Sequence, residues 1–136
     1  MVQKAIWDNT CIEIATAVSK LSKAERKQVG CVLVKDNNIL SVGFNGTPVG
    51  WDNTCEGKDG KTLPEVLHAE SNAIAKVAKS TQSTEGASAY ITLSPCVDCA
   101  KLLIQAGIVE VFYKERYHDT EGLSLLNKAS ITTIQL

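Results

Sequence analysis

The sequence predicts an α/β fold in three layers (α/β/α), a five-stranded mixed sheet flanked by helices. Three observations carry that prediction. Residues 2–20 place apolar side chains at helical spacing. Two Val- and Leu-rich runs flank Asp36-Asn37-Asn38, which marks a β-hairpin and hence an antiparallel pair. From residue 68 onward helical and strand patterns alternate, implying parallel strands with helices on both faces of one sheet.

The first helix rests on Ile6, Ile12, Ile14, Ala15 and Val18. Ser22-Lys23-Ala24-Glu25-Arg26-Lys27 follows, a polar run that by itself reads as a solvated loop. The hairpin strands span residues 29–35 and 39–44. Asn45-Gly46-Thr47-Pro48-Val49-Gly50 opens a long irregular segment to residue 67, holding Trp51 and Cys55. Loops of that length in a compact domain are usually functional or disordered. A helix over residues 68–79 buries Ala73, Ile74, Val77 and Ala78, and residues 81–86 turn the chain. Residues 87–93 form a strand that runs through Ser94-Pro95-Cys96 into a helix ending near Ala106, with Gly107 as its stop. A strand at 108–113, the polar loop Arg116-Tyr117-His118-Asp119, a short helix at 120–129 and a last strand at 131–136 complete the chain.

The length of 136 residues and 44% apolar content suit a single domain, 1–136, with one core. Five cysteines, an odd number with one C-x-x-C pair, argue against a disulfide framework and for a reducing, cytoplasmic setting. Residues 1–7 lack a long apolar run, so neither a signal peptide nor a membrane span is expected. A net charge of −1 offers no broad basic surface for a large nucleic acid, whereas a small charged ligand needs only one or two well-placed cations.

Two stretches carry the chemistry, His68-Ala69-Glu70 and Pro95-Cys96-Val97-Asp98-Cys99. A zinc ion that does chemistry takes three protein ligands and leaves its fourth position to water, and His68, Cys96 and Cys99 make three. Cys96 and Cys99, at i and i+3, bring both sulfurs to one face of a helical turn. Pro95 suits a helix start, Asp98 complements the helix dipole, and the free N–H groups there favour thiolate. His68 and Glu70, at i and i+2, would point apart on a regular helix, so both face one metal only if the helix begins at His68. The alternative is a closed structural zinc with a fourth ligand from Cys11, Cys31, Cys55 or His118. Cys31 reads as core, Cys11 lies on a helix and Cys55 in a loop, and none has paired-ligand spacing with another.

H-x-E followed by P-C-x-x-C resembles the zinc-dependent nucleobase deaminases. From Trp7 to about Leu136 the chain resembles the cytidine deaminase superfamily, and within it the deoxycytidylate (dCMP) deaminases of phage or bacterial type. The likeness includes Gln28-Val29-Gly30, Gly43-Phe44-Asn45-Gly46-Thr47-Pro48-Val49-Gly50 and Tyr117-His118-Asp119. The Asn45 loop discriminates, because G-[YF]-N-G-x-P-x-G is typical of dCMP deaminases and not of tRNA adenosine deaminases or free cytidine deaminases.

The resemblance implies a cytidine-deaminase-like fold and hydrolytic deamination of dCMP to dUMP with release of ammonia, supplying dUMP for dTMP synthesis. One catalytic Zn2+ per chain would lower the pKa of a water to roughly 7. Glu70 would move protons between that water, ring N3 and the leaving amino group. The Ala69 N–H and Ser94 carbonyl would hold the pyrimidine edge, and Asn45 the sugar hydroxyl. Without the resemblance Asn45 reads equally as a turn residue. Family members keep phosphate ligands in the loop that here holds Ser22, Lys23 and Arg26, and guanidinium matches phosphate bidentately, which favours Arg26. Tyr117 would close over the substrate, with an ordinary buried tyrosine as the alternative, and His118 reads as a structural or supporting group.

Many dCMP deaminases are hexamers activated by dCTP and inhibited by dTTP, with Mg2+. The resemblance therefore implies a homo-oligomer, with the hexamer as the expected form. It also implies an effector site drawing on Gly46, Thr47, Gly50 and Trp51. Neither nucleic acid nor membrane is expected as a partner. Some phage relatives hold a second, structural zinc before the H-x-E motif; residues 51–67 offer only Cys55 and no histidine, so none is expected here. The rival reading is a tRNA adenosine deaminase or a related editing enzyme, which needs a basic face that this charge balance does not provide. A non-catalytic zinc module is the reading from another class, and Glu70 counts against it, since a structural site gains nothing from an unpaired carboxylate beside the metal.

Overall fold

Apolar periodicity becomes nine elements among residues 2–136, the part of the chain that the computed structural model describes. Met1, the start of the stretch read for a leader, lies outside the described residues. The elements are α1 (Val2–Ser19), β1 (Gly30–Lys35), β2 (Asn38–Phe44), α2 (Ala69–Ala78), β3 (Ser88–Leu93), α3 (Val97–Gln105), β4 (Glu110–Glu115), α4 (Glu121–Lys128) and β5 (Thr132–Gln135). The sheet runs β2-β1-β3-β4-β5. β1 is antiparallel to β2 and β3, while β3, β4 and β5 are parallel, so the sheet is mixed as the sequence predicts. Asp36 and Asn37, at φ 52° and 61°, make the two-residue hairpin turn whose twist suits the flanking strands.

α1 alone covers one face, packing Cys11, Ile12 and Ala15 on Val32, Val34, Tyr90 and Phe112. The Tyr90 and Phe112 rings stack at 4.6 Å. The Tyr90 hydroxyl donates to the buried Asp8 carboxylate, which also receives Lys4 Nζ at 2.9 Å. The buried stripe of α1 thus runs Asp8, Cys11, Ile12, Ala15, and Ile6 is not on it. Expected in the core, Ile6 is 60% exposed, because two residues before Asp8 it points nearly the opposite way.

The other face buries Ala69, Ala73 and Val77 of α2, Ala100 and Leu103 of α3, and Leu123 and Leu126 of α4. Ala78, expected here too, faces solvent, one residue past the four-residue stripe. α2 lies close on β2 because Gly43 has no side chain: a Cβ there would sit 2.4 Å from the Ala69 carbonyl oxygen. β4 begins two residues later than the apolar run suggests. Gly107, at φ +85°, and the Ile108 N–H bonded to Leu103 O complete the α3 C-cap first. The strand then runs on to Glu115, which pairs with Leu93 and brings the next residues to the site.

Candidate active site

α2 and α3 lie side by side and present their N-termini together. His68 caps α2 in extended conformation (φ −74°, ψ 160°), and Asn72 N–H donates to its carbonyl at 3.0 Å. Cys96 caps α3 the same way (φ −72°, ψ 174°), with Ala100 N–H donating at 2.8 Å. α2 therefore begins at the histidine, as the His68/Glu70 spacing requires, and Glu70 sits in its first turn.

His68 Nδ1 lies 3.2 Å from Cys99 Sγ and 3.5 Å from Cys96 Sγ. All three ligand atoms fall within 4.8 Å of one another. An imidazole nitrogen and two sulfurs at that spacing fit the donor chemistry of zinc, with two helix N-termini favouring the thiolates. Hydrogen bonds from Cys99 and then His68 hold the Cys96 thiol down at about 4. The same bond to Cys96, then burial, pushes the Cys99 thiol up. Glu70 is 4% exposed, and burial lifts its carboxyl to about 7.

A cavity of about 480 Å³ opens over this cluster. The buried Ala69, Glu70 and Ser94 make its floor, with His68 and Cys96 beside them, and the more exposed Arg26, Lys27, Asn45, Glu56, Glu115, Arg116 and Tyr117 its rim. Cys99 is buried and does not line it. Ser94 is fixed by its N–H to Glu115 O at 2.9 Å and by its Oγ, which accepts Tyr117 N–H at 2.8 Å. Tyr117 is half-buried against His118, ring to ring at 4.2 Å.

Ser22 and Lys23 do not line the cavity. Ser22 is buried, and its hydroxyl is committed to Asn45 O at 2.8 Å and the Ala24 N–H at 3.2 Å, so it fastens the loop rather than facing a ligand. Lys23 points to solvent. Asn45 does line the cavity, but its carboxamide also clamps the loop that leads into β1: Oδ1 accepts Val29 N–H at 2.9 Å and Nδ2 donates to Lys27 O at 2.7 Å. Gly46, Thr47, Gly50 and Trp51 lie outside the cavity lining; Gly46 pairs with Leu67 and Trp51 is 59% exposed.

Lys27, Glu56, Glu115 and Arg116 are rim residues that sequence reasoning missed. Arg116 and Glu115 had a signal, since a strand continued past Tyr113 would deliver them. Glu56 had none, because nothing in the sequence joins it to a loop 30 residues earlier.

The fold and the three-ligand cluster with a neighbouring buried carboxylate define a zinc-binding deaminase. The family model described as the cytidine and deoxycytidylate deaminase zinc-binding region matches residues 5–115, and the chain belongs to that family. Its relatives there include human deoxycytidylate deaminase, 38% identical over 93% of this chain and 77% of that protein. The deoxycytidylate deaminase of Enterobacteria phage T4 is 34% identical over 80% of this chain and 78% of that one. Among solved structures, the dCMP deaminase of cyanophage S-TIM5, in complex with dCMP and dUMP, superposes with a TM-score of 0.91 at 39% identity, over 99% of this chain and 96% of that one.

Proposed function

We propose that this chain, as a single deaminase domain over residues 1–136, converts dCMP and water to dUMP and ammonia. One observation carries the reading: a single cavity joins the His68–Cys96–Cys99 cluster and buried Glu70 at its floor to guanidinium groups at its rim. Zinc held by His68, Cys96 and Cys99 supplies the Lewis acidity that makes a water acidic near neutral pH. Glu70, from the first turn of α2, takes a proton from the attacking water and delivers it to N3. It then takes the second proton from the new C4 hydroxyl and passes it to the amino group, which leaves as ammonia as the C4–N bond breaks and the C4 carbonyl forms. The Ala69 N–H and Ser94 carbonyl hold the pyrimidine edge, and Asn45 offers its second Nδ2 proton to the sugar hydroxyl.

The rim argues for a nucleotide over a nucleoside. Lys27 is tied to Glu115 at 2.7 Å, whereas no ion pair among the described residues engages Arg26 or Arg116. Those two guanidinium groups are free to take the 5′-phosphate bidentately. We extend the reading to a cytoplasmic hexamer activated by dCTP with Mg2+ and inhibited by dTTP. Val49, 92% exposed, and Trp51 support it by leaving apolar surface on the loop of Gly46, Thr47 and Gly50. Among the described residues no helix is long and apolar enough to cross a membrane.

The test is ammonia release from dCMP, deoxycytidine and CMP, each with and without dCTP plus Mg2+. Turnover of dCMP that rises with dCTP and falls with dTTP is the expected result. Equal turnover of deoxycytidine would remove the phosphate from the reading, and inactivity on all three would overturn it.

A further inference from the structure

We propose that Glu56 is a positioning residue for nucleotide selection, holding the loop that presents Arg26 to the substrate's 5′-phosphate. The inference rests on the nucleotide reading above. Glu56 reaches the cavity rim from the irregular segment between β2 and α2. A short two-stranded turn fixes it there: Glu56 bridges Thr62, Leu63 N–H donates to Cys55 O at 2.8 Å, and Cys55 is buried. Its carboxylate accepts the Glu25 N–H at 3.1 and 3.2 Å and the Arg26 N–H at 3.2 Å.

Elsewhere the loop is tied by other side chains. Gln28 Nε2 donates to Ser22 O, and Asn45 holds Lys27 O and the Val29 N–H. Among the described residues no other hydrogen bond reaches the backbone N–H groups of Glu25 and Arg26. Glu56 is thus the fastener of the two residues that set where the Arg26 side chain departs.

A carboxylate at the rim of a phosphate-binding cavity could instead stand in for the phosphate and compete with it. Such a stand-in would pair with the cations. Glu56 forms no ion pair with Arg26, Lys27 or Arg116, and its hydrogen bonds go to backbone amides. Its charge is used to order the loop, and the guanidinium is left for the ligand.

The experiment compares wild type, Glu56→Ala and Glu56→Gln on dCMP and on deoxycytidine, with amide hydrogen exchange of residues 22–28 as a readout independent of turnover. Glu56→Ala should raise KM for dCMP about tenfold with kcat unchanged, leave kcat/KM for deoxycytidine within about twofold, and speed exchange in the loop. Glu56→Gln, which keeps an acceptor oxygen, should fall between the two. A KM for dCMP that falls would make the carboxylate a competitor of phosphate and overturn the proposal. Unchanged KM and exchange, or equal losses on both substrates, would overturn it as well. These failures count against Glu56 alone when wild type prefers dCMP; a wild type without that preference overturns the nucleotide reading and this role together.

Discussion

Gly43→Ala tests how far the packing of one strand residue sets the chemistry. The added Cβ would meet the Ala69 carbonyl oxygen at 2.4 Å, Ala73 N at 2.6 Å and Ala73 Cα at 3.0 Å. All three are backbone atoms, so no side-chain rotation relieves the clash. α2 must move away from β2 by about 1 Å, an overpacking that costs about 1–3 kcal/mol. In a domain of this size that lowers Tm by about 3–5 °C per kcal/mol. His68 and Glu70 sit at the N-terminus of α2 and move with it. A displacement of about 1 Å at reacting groups is worth about 100-fold in rate, so kcat should fall by that order while the melt shifts only moderately. Thermal unfolding followed by circular dichroism, alongside initial rates of ammonia release, reads both quantities. A variant with wild-type Tm and kcat would refute the claim that this contact holds α2 in place.

Three further outcomes follow from the same contacts. Glu70→Gln should keep zinc content and fold but lose about 10²–10⁴-fold in turnover, read by metal analysis and initial rates; undiminished turnover would remove Glu70 from proton transfer. Tyr90→Phe removes one of the two donors to the buried Asp8 Oδ1 and leaves Lys4 Nζ on it, so it should cost about 0.5–1.5 kcal/mol in urea melts, while activity persists because α1 covers the opposite face from the site. Burial first and Asp8 second raise the Cys11 thiol from 9.0 to about 11. A folded-state value above the unfolded one contributes stability that is whole below pH 9 and lost as pH rises through 11. Wild-type Tm should therefore fall more between those pH values than that of Cys11→Ala, each measured from its own neutral value; parallel curves would contradict this.

The parts of the fold that depend on local pattern were legible in the residues. Alternation, turn chemistry and helix stops predict the five strands, the hairpin and the Gly107 cap, and a stereochemical constraint on His68 and Glu70 predicts where α2 starts. What was not legible depends on partners distant in sequence. Ile6, expected in the core, is exposed, and Asp8 is buried in the stripe instead, where Tyr90, 82 residues away, donates to it. Ser22 looks like a free hydroxyl in its loop, and only the arrival of the Asn45 carbonyl commits it. Guanidinium chemistry favours Arg26 among the cations of the 22–27 run, but only burial, Glu115 and the cavity sort them into the solvated Lys23, the paired Lys27 and Arg26, which no ion pair among the described residues engages.

That sorting shows why the cavity needs the irregular stretch between β2 and α2. The metal-ligating residues require only two helix N-termini on one face of a sheet, an arrangement that parallel strands and their crossover helices produce by themselves. Selecting a charged substrate requires cations held near the mouth without being neutralised, and regular elements alone do not provide that here. Asn45, just past the end of β2, clamps the loop where it leads into β1, and Glu56 caps two amides of the 22–28 loop from the far side of the segment. Both act on backbone N–H and C=O groups and so fix the loop while leaving Arg26 its full charge. On the proposed reading the chemistry resides on the helices, and the discrimination between substrates in the loops that lean on each other above them.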